Sequence, residues 1–316
     1  MDELELGRIG VLLGGVSSER EISLKSGKAV YEALISAGLD AVAIDISTED
    51  PEENKNLIRG KDIDCAFLAL HGRFGEDGGI QKILEEIRLP FTGSSAAASQ
   101  LAMDKSASRG IFSQNGLNVP KFTLVRKDGR AGQYPDSNLN YPLVVKPVTG
   151  GSSIGLSIIE DRTGLAKALD LAFIYDSSVM IDEYITGREL TVGVLDDTAL
   201  PVIEIIQKNR FFDFEAKYQS GMTEYVVPAN LDSVSNRKVQ EAGLNAHKFL
   251  GCSGCSRTDI ILTRDGLPYV LEVNTIPGMT ATSLLPKACR SIGIDFTQLC
   301  ITLIKLAYVN PAPSEV

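Results

Sequence analysis

Asp259, Glu272 and Asn274 have side chains suited to holding a hard divalent cation. Glu272 and Asn274 stand two apart in an apolar run, so a strand would turn both to one face. Asp259 lies in a second apolar run of the same kind. Two carboxylates and an amide oxygen suit Mg2+, which takes a few protein oxygens and completes its shell with water and substrate phosphate. Partnered core carboxylates are the competing use of these residues, since unpaired acids are costly to bury. Arg257 precedes Asp259 by two and shares its face. It could stabilise charge developing on a tetrahedral intermediate, or pair with Glu272.

A second constellation follows the apolar strand Leu143-Val144-Val145. Lys146 ends it, and Pro147 to Gly155 hold three glycines with Ser152 and Ser153 between them. Glycines allow the backbone to approach phosphate closely, and a lysine at a strand end can neutralise phosphate oxygens. The lysine precedes the glycines, so this is not G-x-x-x-x-G-K-[ST]; a hairpin turn beside an exposed lysine would use the same residues. Phe211 to Tyr225 contains Lys217, Tyr218 and Gly221 among aromatics and charges, the composition of an ordered covering loop or of an ordinary strand pair. A phosphate cradle, a metal site, an arginine and a lid together fit nucleotide-driven chemistry.

The elements that must position these groups are legible in the hydrophobic pattern. Ile9 to Leu13 is a continuous apolar run ending in Gly14-Gly15, as a buried parallel strand would be. Ser17 to Glu21 supplies helix-start chemistry, and Ile22 to Ala37 keep one apolar face until Gly38. Strands at Ala41–Ile46 and Cys65–Leu70 follow, the latter ending at His71-Gly72. Strand–helix–strand repetition predicts a doubly wound sheet, with ligands at the carboxyl ends of its strands, where Gly15 to Glu19 and His71 lie. A second unit is predicted from Lys121–Arg126, Leu143–Lys146, Ile154–Ile159 and Val179–Tyr184, with a helix at Thr163–Tyr175. A third has strands near Leu190–Leu195, Leu200–Ile206, Thr258–Leu262 and Tyr269–Val273. It also has a helix at Asn236–Leu250 and two helices after Ser283.

The formal charge of −10 argues against a surface for nucleic acid or anionic membrane, so a polyanion would be held by local lysines and backbone N–H groups. No run of about 18 apolar residues exists, and Met1 to Glu5 is acidic where a signal peptide is basic. A soluble, cytoplasmic protein is expected. Five cysteines, an odd number in apolar surroundings, read as buried thiols; Cys252 and Cys255 form a C-x-x-C pair without a second ligand pair nearby. His247 reads as a surface or satisfied core histidine. Lys121, Arg126, Lys127 and Arg130 read as a solvated hairpin.

Eight segments in order resemble the D-alanine–D-alanine ligases, a branch of the ATP-grasp superfamily. They are Leu13 to Leu24, His71 to Gly78, Thr92 to Ser94 with Ala102 to Lys105, and Val145 to Pro147. Then come Gly151 to Gly155, Glu215 to Tyr218, Arg257 to Asp259 and Leu271 to Thr280. The resemblance implies mixed α/β and α+β architecture, a three-domain ATP-grasp fold with an N-terminal doubly wound parallel sheet. Residues 1–104 would bind the first D-alanine. Residues 105–188 would carry the phosphate loop and adenine site, and residues 189–316 the metal site, the lid and the second D-alanine site.

By the same resemblance ATP is a co-substrate, contacted by Lys105, Lys146, Ser152, Ser153, Asp182, Glu183, Tyr184, Ile185, Glu189 and Lys217. Asp182 and Tyr184 stand where the family more often has glutamate and an apolar residue. Asp259, Glu272 and Asn274 would bind two Mg2+, with Mn2+ able to substitute. Glu19 and His71 would serve the first D-alanine, Ser283 and Leu284 the second, and Arg257 with the Gly278 N–H the oxyanion. Glu19, Ser152 and Tyr218 would tie the lid to the site. The implied product is D-alanyl-D-alanine for peptidoglycan precursors, made by a homodimer.

Tyr218 favours the dipeptide over D-alanyl-D-lactate, whose ligases resemble this sequence but carry histidine there. D-alanyl-D-serine formation is less cleanly separated. Another ATP-grasp carboxylate–amine ligase and a silent nucleotide-binding regulator are further readings. The first is opposed by Glu19 and His71, the second by the full set of polar site residues.

Overall fold

A computed structural model describes residues 6–128, 139–151, 154–207 and 223–309. The apolar run at the start forms β1 (Ile9–Gly14), buried throughout. It lies between β2 (Ala41–Ile46) and β3 (Cys65–Leu68) in a parallel sheet of order β2-β1-β3, with Ile9 opposite both Ala41 and Cys65. The crossovers are α1 (Arg20–Ser36) and α2 (Pro51–Arg59). Pro51 opens α2 behind Asp50, whose carboxylate accepts from the Glu53 N–H at 2.8 Å, which is why that helix starts there. Three further helices, α3 (Gly79–Glu86), α4 (Ala96–Met103) and α5 (Lys105–Gln114), lead away from the sheet.

The second sheet is antiparallel, in the order β4-β7-β5-β6. Its strands are β4 (Phe122–Arg126), β5 (Leu143–Pro147), β6 (Ser157–Ile159) and β7 (Ser178–Glu183). The expected strand from Ile154 is shorter because Ile154 and Gly155 are spent in the turn, Gly155 at φ +73°. The helix expected from Thr163 is split into a 3-10 turn, Arg162–Gly164, and α6 (Leu165–Ala172).

The third sheet comprises β8 (Arg188–Leu195), β9 (Thr198–Ala199), β10 (Ile203–Gln207), β11 (Thr223–Val226), β12 (Cys255–Leu262) and β13 (Pro268–Asn274). Its order is β11-β10-β8-β12-β13, with β9 on β8. The helix α7 (Ser233–Phe249) begins three residues before the expected Asn236, since Asp232 caps it by accepting from the Val234 and Ser235 N–H groups. The two expected final helices are α8 (Leu284–Arg290) and α9 (Phe296–Val309).

Side-chain alternation along β1 divides the apolar residues between two cores. Ile9 and Val11 join Val30 and Leu34 of α1 with Leu299, Leu303 and Ile304 of α9, whereas Leu12 joins Ile44, Leu68 and Ile80. The first sheet is therefore covered on one face by α1 and the last helix together. The Tyr308 hydroxyl donates to the Leu6 carbonyl at 2.6 Å, fastening that helix to the strand's entry.

Candidate active site

Antiparallel pairing of β12 with β13 puts Asp259 opposite Glu272 and Arg257 opposite Asn274, and a bulge after Asp259 re-aims the strand there. Like charges abreast repel, so cations must stand against them. Arg257 does so: Nε lies 3.0 Å from Asp259 Oδ1 and Nη2 3.0 Å from Oδ2, while Lys105 Nζ lies 3.6 Å from Glu272 Oε2. Arg257 thus pairs along its own strand with Asp259, not across to Glu272. Burial opposes the Arg257 charge, but Asp259, with Glu272 and Glu76 beyond it, holds the guanidinium above its ordinary range.

The donor set fits a hard cation. Asp259 also accepts from Thr191 Oγ1 at 2.7 Å, and these three bonds leave one of a carboxylate's roughly four lone-pair positions. Asn274 Oδ1 accepts from the Ile276 N–H at 2.9 Å, which fixes the orientation of the amide. Asp259, Glu272 and Asn274 all line one cleft of about 260 Å³.

The same cleft is lined by Lys105, Gly150 and Gly151 from the glycine turn. Asp104 caps α5 through the Ser106 and Ala107 N–H groups at 2.9 and 3.0 Å, and so places Lys105 in the first turn, where its ammonium donates to the Gly150 carbonyl. Glu19 reaches the cleft from the entry to α1. A Cβ at Gly72 (φ +70°) would stand 2.7 Å from Glu19 Oε2 and 2.8 Å from Ser17 Oγ, so only glycine leaves room for that carboxylate. His71, Glu189, Gly278, Ser283 and Leu284 complete the expected residues found there. Ser283 Oγ accepts from the Thr280 N–H at 3.1 Å and lies 2.8 Å from Thr280 Oγ1, folding the Gly278 turn onto the start of α8.

Other expected residues lie off this cleft. Lys146 is buried, 3.0 Å from Asp182 Oδ2, which is also 2.8 Å from Arg109 Nη1. Burial, then the neighbouring Arg109 charge, pushes the Lys146 ammonium down to about 8. Glu183 and Tyr184 line a separate notch of about 230 Å³ with Lys121 and Tyr141, and Ile185 follows, half-buried. Ser152, Ser153, Lys217 and Tyr218 lie outside the described residues.

Arg109 escaped the sequence reading because an arginine in an amphipathic helix ordinarily faces water; here it is fully buried. Glu76 was visible only as part of a glycine-rich segment, and Tyr225 and Thr223 of the cleft wall only as part of a loop. His247 is a satisfied core residue, its Nδ1 2.7 Å from Ser256 Oγ, and burial pushes it down to about 4. All five cysteines are free thiols; burial pushes Cys252 and Cys255 up to about 12, which keeps them unreactive. Among the described residues no helix is long and apolar enough to cross a membrane.

Family models described as D-ala D-ala ligase N-terminus and D-ala D-ala ligase C-terminus match residues 47–94 and 111–305. D-alanine–D-alanine ligase of Geotalea uraniireducens (strain Rf4) is 46% identical over 307 residues, covering 97% of each chain. The crystal structure of D-alanine–D-alanine ligase from Bacillus anthracis complexed with ATP superposes with a TM-score of 0.85 at 35% identity, over 96% of this chain and 98% of that one. VanG D-Ala:D-Ser ligase from Enterococcus faecalis gives 0.82 at 33%, over 95% and 99%. A parallel sheet followed by two antiparallel ones, matched at this identity along nearly the whole length, leaves one conclusion: the chain belongs to the D-alanine–D-alanine ligase family and has its ATP-grasp fold.

Proposed function

We propose that the protein is a cytoplasmic D-alanine–D-alanine ligase that uses ATP to make D-alanyl-D-alanine for peptidoglycan precursors. The observation that carries the reading is the single cleft in which Glu19 and His71 meet Lys105, Gly151, Arg257 and the Asp259–Glu272–Asn274 group. Residues 1–104 act as the unit for the first D-alanine, 105–188 as the phosphate-loop and adenine unit, and 189–316 as the metal and second-substrate unit.

Asp259, Glu272 and Asn274 would hold two Mg2+, whose charge would offset that of the transferring phosphoryl group. Glu19 receives the ammonium of the first D-alanine and turns its carboxylate toward the γ-phosphate. That carboxylate oxygen attacks the γ-phosphorus and ADP leaves, giving D-alanyl phosphate. The second D-alanine, seated by Ser283 and Leu284, gives its ammonium proton to solvent as it binds and attacks the acyl carbon as the free amine. Arg257 and the Gly278 N–H oppose charge on the carbonyl oxygen until inorganic phosphate departs with the former acyl–oxygen bond pair. Lys146, Ser152, Ser153 and Lys217 serve the phosphates, Glu183 to Ile185 and Glu189 the nucleoside, and Tyr218 the closing lid, which keeps water from the acyl phosphate. A homodimer is the assembly proposed.

Phosphate release with ATP and Mg2+ tests the reading, comparing D-alanine, L-alanine, D-serine and D-alanine plus D-lactate. D-alanine alone should support turnover and L-alanine should not. Faster release with D-serine as the second substrate would reassign the product to the kind VanG makes.

A further inference from the structure

Ser26 belongs to none of the residues assigned a role above. It sits on α1, fully buried, with Oγ 3.1 Å from His71 Nε2. The same oxygen accepts from the Met279 N–H at 3.4 Å, in the backbone that follows Gly278. On the other side of the ring, His71 Nδ1 lies 3.1 Å from Glu76 Oε1. His71, Glu76 and Gly278 all line the cleft.

We propose that Ser26 is a positioning residue: its hydroxyl is the middle of a one-way hydrogen-bond line running from the Met279 N–H through His71 to Glu76. The kinetic half of this inference rests on the ligase reading; the line itself does not. The direction follows from what each group can give. An ionised carboxylate only accepts, so the ring hydrogen belongs on Nδ1, facing Glu76. Nε2 is then a lone pair, and the Ser26 hydroxyl fills it. The Ser26 oxygen is left to accept, and the Met279 N–H supplies the hydrogen.

Every donor in the line meets one acceptor. With the hydrogen on Nε2, or on both ring nitrogens, the fully buried Ser26 hydroxyl hydrogen would have no acceptor among the described residues. An unpaired buried polar group of that kind is costly.

Two consequences follow. Both His71 nitrogens are engaged by protein, so His71 acts on the first amino acid through Glu76 and the backbone and offers it no ring nitrogen. Ser26 is seven residues after Glu19, on the same face of α1 and two turns along. One helix thereby fixes Glu19 at its entry and the Gly278–Met279 backbone in its middle, setting the distance between the group for the substrate ammonium and the N–H for the oxyanion.

The chain has two histidines, so nitrogen NMR of 15N-histidine-labelled protein reads the line directly, with His247→Gln to assign the signals. Near neutral pH the wild type should show His71 protonated at Nδ1 and bare at Nε2. Ser26→Ala should move the Nε2 signal. It should also lower kcat with D-alanine roughly tenfold, the size of one lost buried hydrogen bond, while KM for ATP changes less than about twofold. Ser26→Cys, with its weak donor, should recover part of that loss.

A wild-type His71 carrying hydrogen at Nε2 overturns the proposal, as does a Ser26→Ala protein with unchanged His71 signals and unchanged kcat. Should Ser26→Ala fail to fold, the wild-type spectrum still decides the line. If the wild type turns over no D-alanine, the ligase reading fails while the tautomer remains measured.

Discussion

Asp259 and Glu272 show how a few atoms set both charge balance and chemistry. They face each other across β12 and β13, and Arg257 and Lys105 offset them. Asp259→Asn and Glu272→Gln keep shape but remove a charge, so each should lower kcat by about 10²–10³ while the chain still folds and melts cooperatively, with the Asp259 variant melting lower because Arg257 loses its partner. Turnover assays beside a thermal melt check this. At this scale the sequence was informative wherever spacing within one strand decided the matter. Glu272 and Asn274 share a face by strand period, and Arg257 with Asp259 likewise. It was blind where two distant segments meet: nothing local marks Arg109 as the partner of Asp182, or Ser26 as the partner of His71. Such pairs depend on how elements pack, and packing leaves no periodic trace.

Turns and helix starts decide where those residues stand. Gly72, at φ +70°, is one of them, because a methyl there meets both Glu19 and Ser17. Gly72→Ala should raise KM for D-alanine more than KM for ATP, by roughly tenfold, as Glu19 is displaced from a fixed geometry; initial-rate kinetics with each substrate varied separates the two. Asp104→Ala should cost about 1 kcal/mol of stability through the lost cap of α5, read by urea unfolding. The contact of α7 with β12 carries a pH dependence. His247 is neutral in the fold down to about 4, whereas an exposed histidine takes its proton near 6.5. The unfolded chain therefore binds the extra proton between those values, and stability present above about 6.5 is lost as pH falls toward 4, by up to about 3 kcal/mol. Thermal melts across that window should show a smaller loss for His247→Gln. Element types were legible from apolar period, as β1, β2 and α1 illustrate. Boundaries shifted where caps and turns intervened, at Asp232 and at Gly155.

The whole molecule is tied together by cores that cross between its sheets. Leu195 and Ile203 of the third sheet, with Leu200 between β9 and β10, join Ile9, Val11 and Phe67 of the first in one cluster with Leu299, Leu303 and Ile304. Leu303→Ala should therefore destabilise by about 2–5 kcal/mol in urea unfolding although Leu303 is absent from the cleft wall, with kcat retained below the transition. The fastening of the last helix to the first sheet has a further consequence, for the order in which the chain is made. A ribosome completes β3 long before α9, and at about 5–20 residues per second the interval is roughly 10–50 s. Through that time α1 alone covers that side of the parallel sheet, the share of the core that Leu299, Leu303 and Ile304 fill stays open in the nascent chain, and its earliest-made part is among the last to become native.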